Sequence, residues 1–262
     1  MTTDTVRMLD KALREGRPTI DVADAKRAWA EFRKENGWGP NGRLLTPPSD
    51  NLKLGKDGQH PTHGLALAPS DAAGHNVCRY ATAECRRGCV AYSGNGFYPK
   101  VGQARQLKVK WLHEQPKHFV TLLEHEIWGV EGHVRLNTFS DIPWERVADW
   151  LIERGDLYDY TKWPDRVRTD EYDLTFSASE HTTDEQIHDT IPRMNVAVVF
   201  DTPRGKPLPD EYLGYEVVDG DASDARWLDP LGVVVGLRAK GRMRMYDTNG
   251  MVRHASTEGN IT

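Results

Sequence analysis

No run of about 18 apolar residues occurs in the sequence, so hydropathy offers no membrane-spanning helix. The first stretch, MTTDTVRMLDKALREGR, lacks the apolar core of a secretory leader, and the protein is expected to stay in a cytoplasm. Positive charge is not in excess: 34 Lys and Arg stand against 39 Asp and Glu, a net charge of −5. That balance gives no general attraction to nucleic acid or to an anionic bilayer. Neither an internal repeat nor a low-complexity segment is present. Cysteine is scarce, at three residues, and a reducing compartment argues against a disulfide framework. With 262 residues, 38% of them hydrophobic, the chain can bury a full core without such staples.

The scarce residue is also concentrated. Cys78, Cys85 and Cys89 all fall in HNVCRYATAECRRGCVAYSGNG, residues 75–96, with six and then three residues between them. Core cysteines scatter along a chain, whereas a tight cluster in a reducing compartment points to metal or redox chemistry. Arg79, Arg86 and Arg87 would favour the anionic thiolates, and Gly88, Gly94 and Gly96 allow tight turns close to a bound centre. Three readings compete. The first is a 4Fe–4S cluster with three protein ligands and one iron open to a small molecule. The second is zinc, with His75 or His63 as fourth ligand or an open catalytic position, and the third is a set of unligated core thiols. A zinc site of three cysteines and one histidine usually shows a C-x-x-C knuckle, which is missing, and this favours iron.

Residues 21–36 have helical spacing through Val22, Ala25, Trp29 and Phe32, with Asp21 as N-cap and Gly37 beyond the end. The helix is expected outside the main domain, and residues 37–62, rich in Gly, Pro and Asn, read as a linker. Residues 1–62 are thus an N-terminal helical extension and linker, and 63–262 an α/β domain. Its strand candidates are GLALAP (64–69), HVRLNTF (133–139), LYDYTK (157–162), YDLTFSAS (172–179), NVAVVF (195–200), YEVVD (215–219) and GVVVGLR (232–238). Helical patterns lie between them over about 101–128, 144–154 and 182–190, the last capped by Thr182 or Thr183. Such alternation implies parallel βαβ units with both faces covered, as an open sheet or a partly closed barrel. In RMRMYDTNGMVRHA (242–255), Asn249-Gly250 between two strand-like runs predicts a C-terminal β-hairpin.

Parallel α/β folds collect their chemistry at the carboxyl ends of the strands, where loops converge. The cysteine loop begins at such an end, and polar residues follow several later strands. Asn137, Ser140, Asp141, Lys162, Ser177, Arg238 and Lys240 are therefore candidate pocket residues. Asp141 would cap a helix starting at Pro143-Trp144. Lys162, Arg238 and Lys240 would neutralise a carboxylate or phosphate, or end in solvent. Arg238, Lys240, Arg242 and Arg244 would line one side of a strand, a weak nucleic-acid contact or a solvated face.

A cysteine loop after the first strand of such a domain resembles the radical S-adenosylmethionine superfamily. There a C-x-x-x-C-x-x-C loop holds a 4Fe–4S cluster on a partial (βα)6-type TIM-like barrel; both spacings differ here. The chain is similar, more closely, to the actinobacteriophage family of gene product 88. The shared elements are Cys78, Cys85 and Cys89 with Tyr92-Ser93-Gly94, RLNTFSD (135–141), YTK (160–162) and GLRAKG (236–241). The resemblance implies a cluster-bearing, radical-SAM-like partial barrel in the host cell cytoplasm, here with N-terminal helices and the C-terminal hairpin. Cys78, Cys85 and Cys89 would be the metal ligands, and a small molecule would meet the open iron. It also implies S-adenosylmethionine near Ser140 and Asp141, and redox or radical-type chemistry. The alternative, from another class, is a zinc-stabilised nucleic-acid or partner-binding module with His75 as fourth ligand.

Overall fold

The computed structural model describes residues 3–50, 59–245 and 248–255. Among them a ten-stranded, mostly parallel sheet forms the centre of a mixed α/β fold. Seven strands carry it: β1 (Thr62–Leu65), β2 (His133–Arg135), β3 (Leu157–Thr161), β4 (Tyr172–Ser177), β5 (Val196–Phe200), β6 (Tyr215–Asp219) and β7 (Val234–Arg238). They are parallel neighbours in the order β1-β2-β3-β4-β5-β7-β6. Two-residue antiparallel strands flank them, Leu45–Thr46 beside β1 and Glu211–Tyr212 beside β6. The helices are α1 (Thr5–Ala12), α2 (Val22–Glu35), α3 (Ala83–Arg87), α4 (Pro99–Glu114), α5 (Pro116–Trp128), α6 (Trp144–Val147) and α7 (Asp184–Thr190). No helix among the described residues is long and apolar enough to cross a membrane.

The expected α/β class with parallel strands is met, but the (βα)6-type TIM-like barrel is not, because the sheet stays open. The strands are parallel and the first five stand in sequence order, but the ladder has two ends, and β7 inserts between β5 and β6. Composition explains the exchange: β7 (VVGLR) buries its first three residues, while β6 (YEVVD) buries none fully, so the more apolar strand takes the interior place.

Helix boundaries differ from the periodic pattern where local chemistry interrupts it. The stretch 101–128 is two helices, because Pro116 pushes the preceding Gln115 out of helical geometry, to φ −137°, ψ 61°. The stretch 144–154 shortens to α6 and a 3₁₀ turn at Asp149–Leu151. Asp21 and Thr183 cap α2 and α7; Thr183 and Gln186 complete a reciprocal capping box. Ala25, Trp29 and Phe32 of α2 join the main hydrophobic cluster, and Trp29 packs on Trp111 of α4 at 4.7 Å, so this helix lies against the core.

Among the described residues the C-terminal hairpin does not form. Asn249 and Gly250 do adopt left-handed turn geometry (φ 49° and 90°), but Gly241–Arg244 is a 3₁₀ turn, and residues 246–247 of the first arm lie outside the described residues. Val252–Arg253 pairs parallel with Val199 and Phe200 of β5 instead. The reason lies in β4, whose ladder with β5 ends at the Ser177–Ala197 pair. It leaves the last residues of β5 an open edge, which the C-terminal strand fills.

Candidate functional site

Since β1 to β4 run parallel, their carboxyl ends open on one edge of the sheet, and a cavity of about 230 Å³ sits there. Pro69 and Ser70 after β1, residues 137–141 after β2, Thr161 and Lys162 at the end of β3 and Ser177 at the end of β4 wall it. Cys78, Cys85 and Cys89 close it from the loop. The structure thus brings together the three thiols with Asn137, Ser140, Asp141, Lys162 and Ser177.

The cysteine loop is fastened at both ends. Thr3–Asp4 pairs with His75–Asn76 at its entry, and the Cys78 amide donates to Asn76 Oδ1 at 2.9 Å. Thr82 caps α3, its hydroxyl accepting from the Cys85 amide. Glu180, after β4, accepts from the Thr82 hydroxyl at 2.6 Å and the Glu84 amide at 3.0 Å. Burial opposes its charge, yet these donors hold the Glu180 carboxyl below its ordinary range. The short helix bearing Cys85 is therefore tied to the far strand.

All three thiols are free. Cys78 Sγ accepts from the Ser70 amide at 3.3 Å and donates to the Phe139 carbonyl at 3.5 Å. Burial pushes each thiol up, Cys89 to about 11, with the neighbouring thiols adding to the effect at Cys78 and Cys89. Lys162 works against it at Cys85 and Cys89, Arg86 at Cys85 and Arg105 at Cys89. Of the arginines expected to serve the thiolates, Arg86 lines the cavity, Arg79 turns to Asp4 and the Trp163 ring, and Arg87 faces Glu84.

Asn137 organises the loop after β2. Its amide nitrogen donates to Asp159 Oδ2 and the Ile142 carbonyl, and its Oδ1 accepts from Ser140 Oγ and the Ile142 amide, both at 2.8 Å. This network captures residues that would otherwise extend β2, which ends at Arg135 rather than 139. Asp141 is not a helix cap; Pro143 holds that position without a capping side chain. Its carboxylate instead accepts from Thr161 Oγ1 at 2.8 Å, the Lys162 amide at 2.7 Å and Arg166 at 3.2 Å. Arg166, fully buried, also forks onto Glu145 through two bonds of 2.9 Å. Lys162 Nζ donates to Ser177 Oγ and to the Ser177 and Ala178 carbonyls.

Two candidates stand elsewhere. Arg238 bonds Asp219 and Asp221, Lys240 pairs with Asp221, and neither lines the cavity. The basic edge expected at 238–244 is not assembled either, because the chain turns at Gly241 (φ 53°) into the 3₁₀ segment holding Arg242 and Arg244. His75 stacks on His113 at 3.6 Å, and His63 lines another groove beside Glu126, so neither reaches the thiols. Sequence reasoning missed Arg105 and Arg166, while Arg135, Thr138 and Tyr160 stood only inside the stretches RLNTFSD and YTK. Arg135 is buried and bonded to Asp224, 4.8 Å from the Tyr160 ring. Of the two missed residues, Arg105 carried a signal, since it shares a helical face with Val101, Ala104 and Lys108.

In kind and number the donors suit a thiolate-bound cluster, with cationic groups around them. In placement, no three His, Cys, Asp or Glu side chains among the described residues are gathered as one metal ion would need. A tetrahedral ion with metal–sulfur bonds of about 2.3 Å holds its sulfurs about 3.8 Å apart.

Fold and site together define an open-sheet α/β protein with a thiol-lined pocket at its strand ends. A family model described as gene product 88 matches residues 39–258, and the chain belongs to that family. No curated protein and no solved structure matches the chain.

Proposed function

We propose that Cys78, Cys85 and Cys89 hold an iron–sulfur cluster, of the 4Fe–4S type, leaving one iron to a small polar ligand in the cavity. One observation carries this reading: every thiol of the chain is free, and all three face one cavity at the carboxyl ends of β1 to β4. Lys162, Arg86 and Arg105 supply positive charge beside them, as an anionic thiolate cluster requires. A bound cluster would supply redox chemistry. The chain's own part would be to exclude water through the buried loop and to orient a ligand on Lys162 and Ser177. S-adenosylmethionine as that ligand, and a radical reaction in the host cytoplasm, belong to the same proposal and rest on the resemblance alone.

The test is anaerobic purification of the whole chain, with iron, acid-labile sulfide and visible absorption measured. The expected result is a brown protein with matched iron and sulfide, whose colour is lost in Cys85→Ala. Colourless wild-type protein, or one equivalent of zinc in place of iron, refutes the reading. An unchanged spectrum in Cys85→Ala removes that residue from the ligand set.

A further inference from the structure

Beside the thiol cavity lies a larger groove of about 840 Å³, room enough for a metabolite-sized molecule. The two share Val90, Thr138 and Phe139 as a common wall. One face of α4 forms the floor, since Val101, Ala104, Arg105 and Lys108 fall in line at helical spacing. The turn at 93–96 and Lys240 line it as well. These two segments meet because residue 241 is glycine: a Cβ there would stand 2.4 Å from Ser93 Oγ.

The charges in this groove are unusual for a chain of net charge −5: Lys100, Arg105, Lys108 and Lys240 line it with one carboxylate, Asp50. Lys240 is already paired with Asp221. Arg105 and Lys108 have no carboxylate within ion-pairing distance among the described residues. Arg105 is held in place, Nη1 donating to the Ala91 carbonyl at 2.7 Å and the guanidinium lying 4.1 Å from the Phe139 ring centre, which leaves Nε and Nη2 unspent. Lys108 is 8% exposed and gives one N–H to the Leu44 carbonyl at 2.6 Å. Thr138, 6% exposed and on the shared wall, has a hydroxyl without a hydrogen-bond partner. Fixed, desolvated donors of this kind are what an oxyanion satisfies.

We propose that the groove binds a small molecule through an oxyanion head group, phosphate or carboxylate, seated on Arg105 and Lys108 with Thr138 as a neutral donor. The remainder of the molecule extends over Phe139 towards the thiols. Burial, with Arg105 and Arg33, lowers the Lys108 ammonium to about 8 against the pull of Glu126, and a bound anion would raise it. The seat needs no ligand on the thiols, although Arg105 also stands beside Cys89.

The experiment is calorimetric titration of the full-length protein with inorganic pyrophosphate and, separately, succinate. Saturable one-site binding of at least one probe is expected, and the preferred probe identifies the head group. Arg105→Gln should weaken binding about tenfold or more. Lys108→Met, which keeps the stem of the side chain, should weaken it likewise with an unchanged circular dichroism spectrum. Cys85→Ser should bind as the wild type does, because Cys85 lines the cavity and not the groove. Failure of both probes to bind wild-type protein overturns the proposal, as does equal binding in the Arg105 and Lys108 variants. Loss of binding in Cys85→Ser alone would move the anion to the thiols and also overturn it. A colourless wild type that binds either probe ends the cluster reading and leaves this one standing.

Discussion

Replacing Arg166 by Met should cost about 3 kcal/mol of folding stability. Arg166 is 0% exposed and joins three elements: Glu145 on α6, Asp141 after β2, and the Tyr172 ring of β4, 5.3 Å from the guanidinium. Removing one partner of a buried ion pair typically costs about 3–5 kcal/mol, because the other charge is left desolvated. Here the lower end applies. The Glu145 side chain is 20% exposed and can rehydrate, and Asp141 keeps the Thr161 hydroxyl and the Lys162 amide. Met retains apolar volume, so little cavity term is added. Equilibrium urea unfolding gives the measurement: with a slope of about 3 kcal/mol per molar for a chain of this size, the midpoint should fall by about 1 M. Asp141→Asn in the same background should cost less than it does alone, since the two charges share one interaction. A midpoint shift under about 0.3 M, or strict additivity of the two variants, would show that this ion network does not hold the site loop to the sheet.

Two further outcomes test the account of the loops and the buried charges. Burial pushes the Asp159 carboxyl up to about 6, against Arg135 and the Tyr172 and Asn137 donors, so the folded state holds its proton more tightly than the unfolded chain does. Its contribution to stability is full below about pH 4 and is lost as pH rises through about 6; in thermal unfolding across that window, Asp159→Asn should lose less stability with rising pH than wild type, and parallel curves would contradict the assignment. Gly96→Ala places a Cβ 1.9 Å from the Ala91 carbonyl oxygen, so the 91–97 turn must shift and release Arg105. Limited proteolysis should then cut that turn faster, whereas Gly94→Ala, with open space around its Cβ, should show only the milder cost of its left-handed backbone.

The site was legible in the sequence to the extent that it is local. A parallel strand followed by a polar turn places that turn at a known end of the sheet, so Asn137, Lys162 and Ser177 could be set beside the thiols from order and periodicity alone. What a side chain does once there depends on partners distant in sequence. Asp141 reads as a helix cap until Arg166, 25 positions later, takes its carboxylate. Arg238 and Lys240 read as free cations until Asp219 and Asp221 claim them across two neighbouring strands. The hairpin failed for a similar reason: Asn249-Gly250 does specify the turn, but the length of β4 decides where the following strand finds an open edge. Strand order behaves alike, since alternation with helices predicts parallel strands while relative burial decides that β7 and not β6 lies beside β5. The thiols were legible as a group because three cysteines fall within twelve residues, whereas the placement of their loop depends on distant partners, Thr3–Asp4 and Glu180. Helical spacing placed Arg105 and Lys108 on one face, but it could not show that they have no carboxylate within ion-pairing distance among the described residues, because in a sequence an unspent charge looks the same as a solvated one.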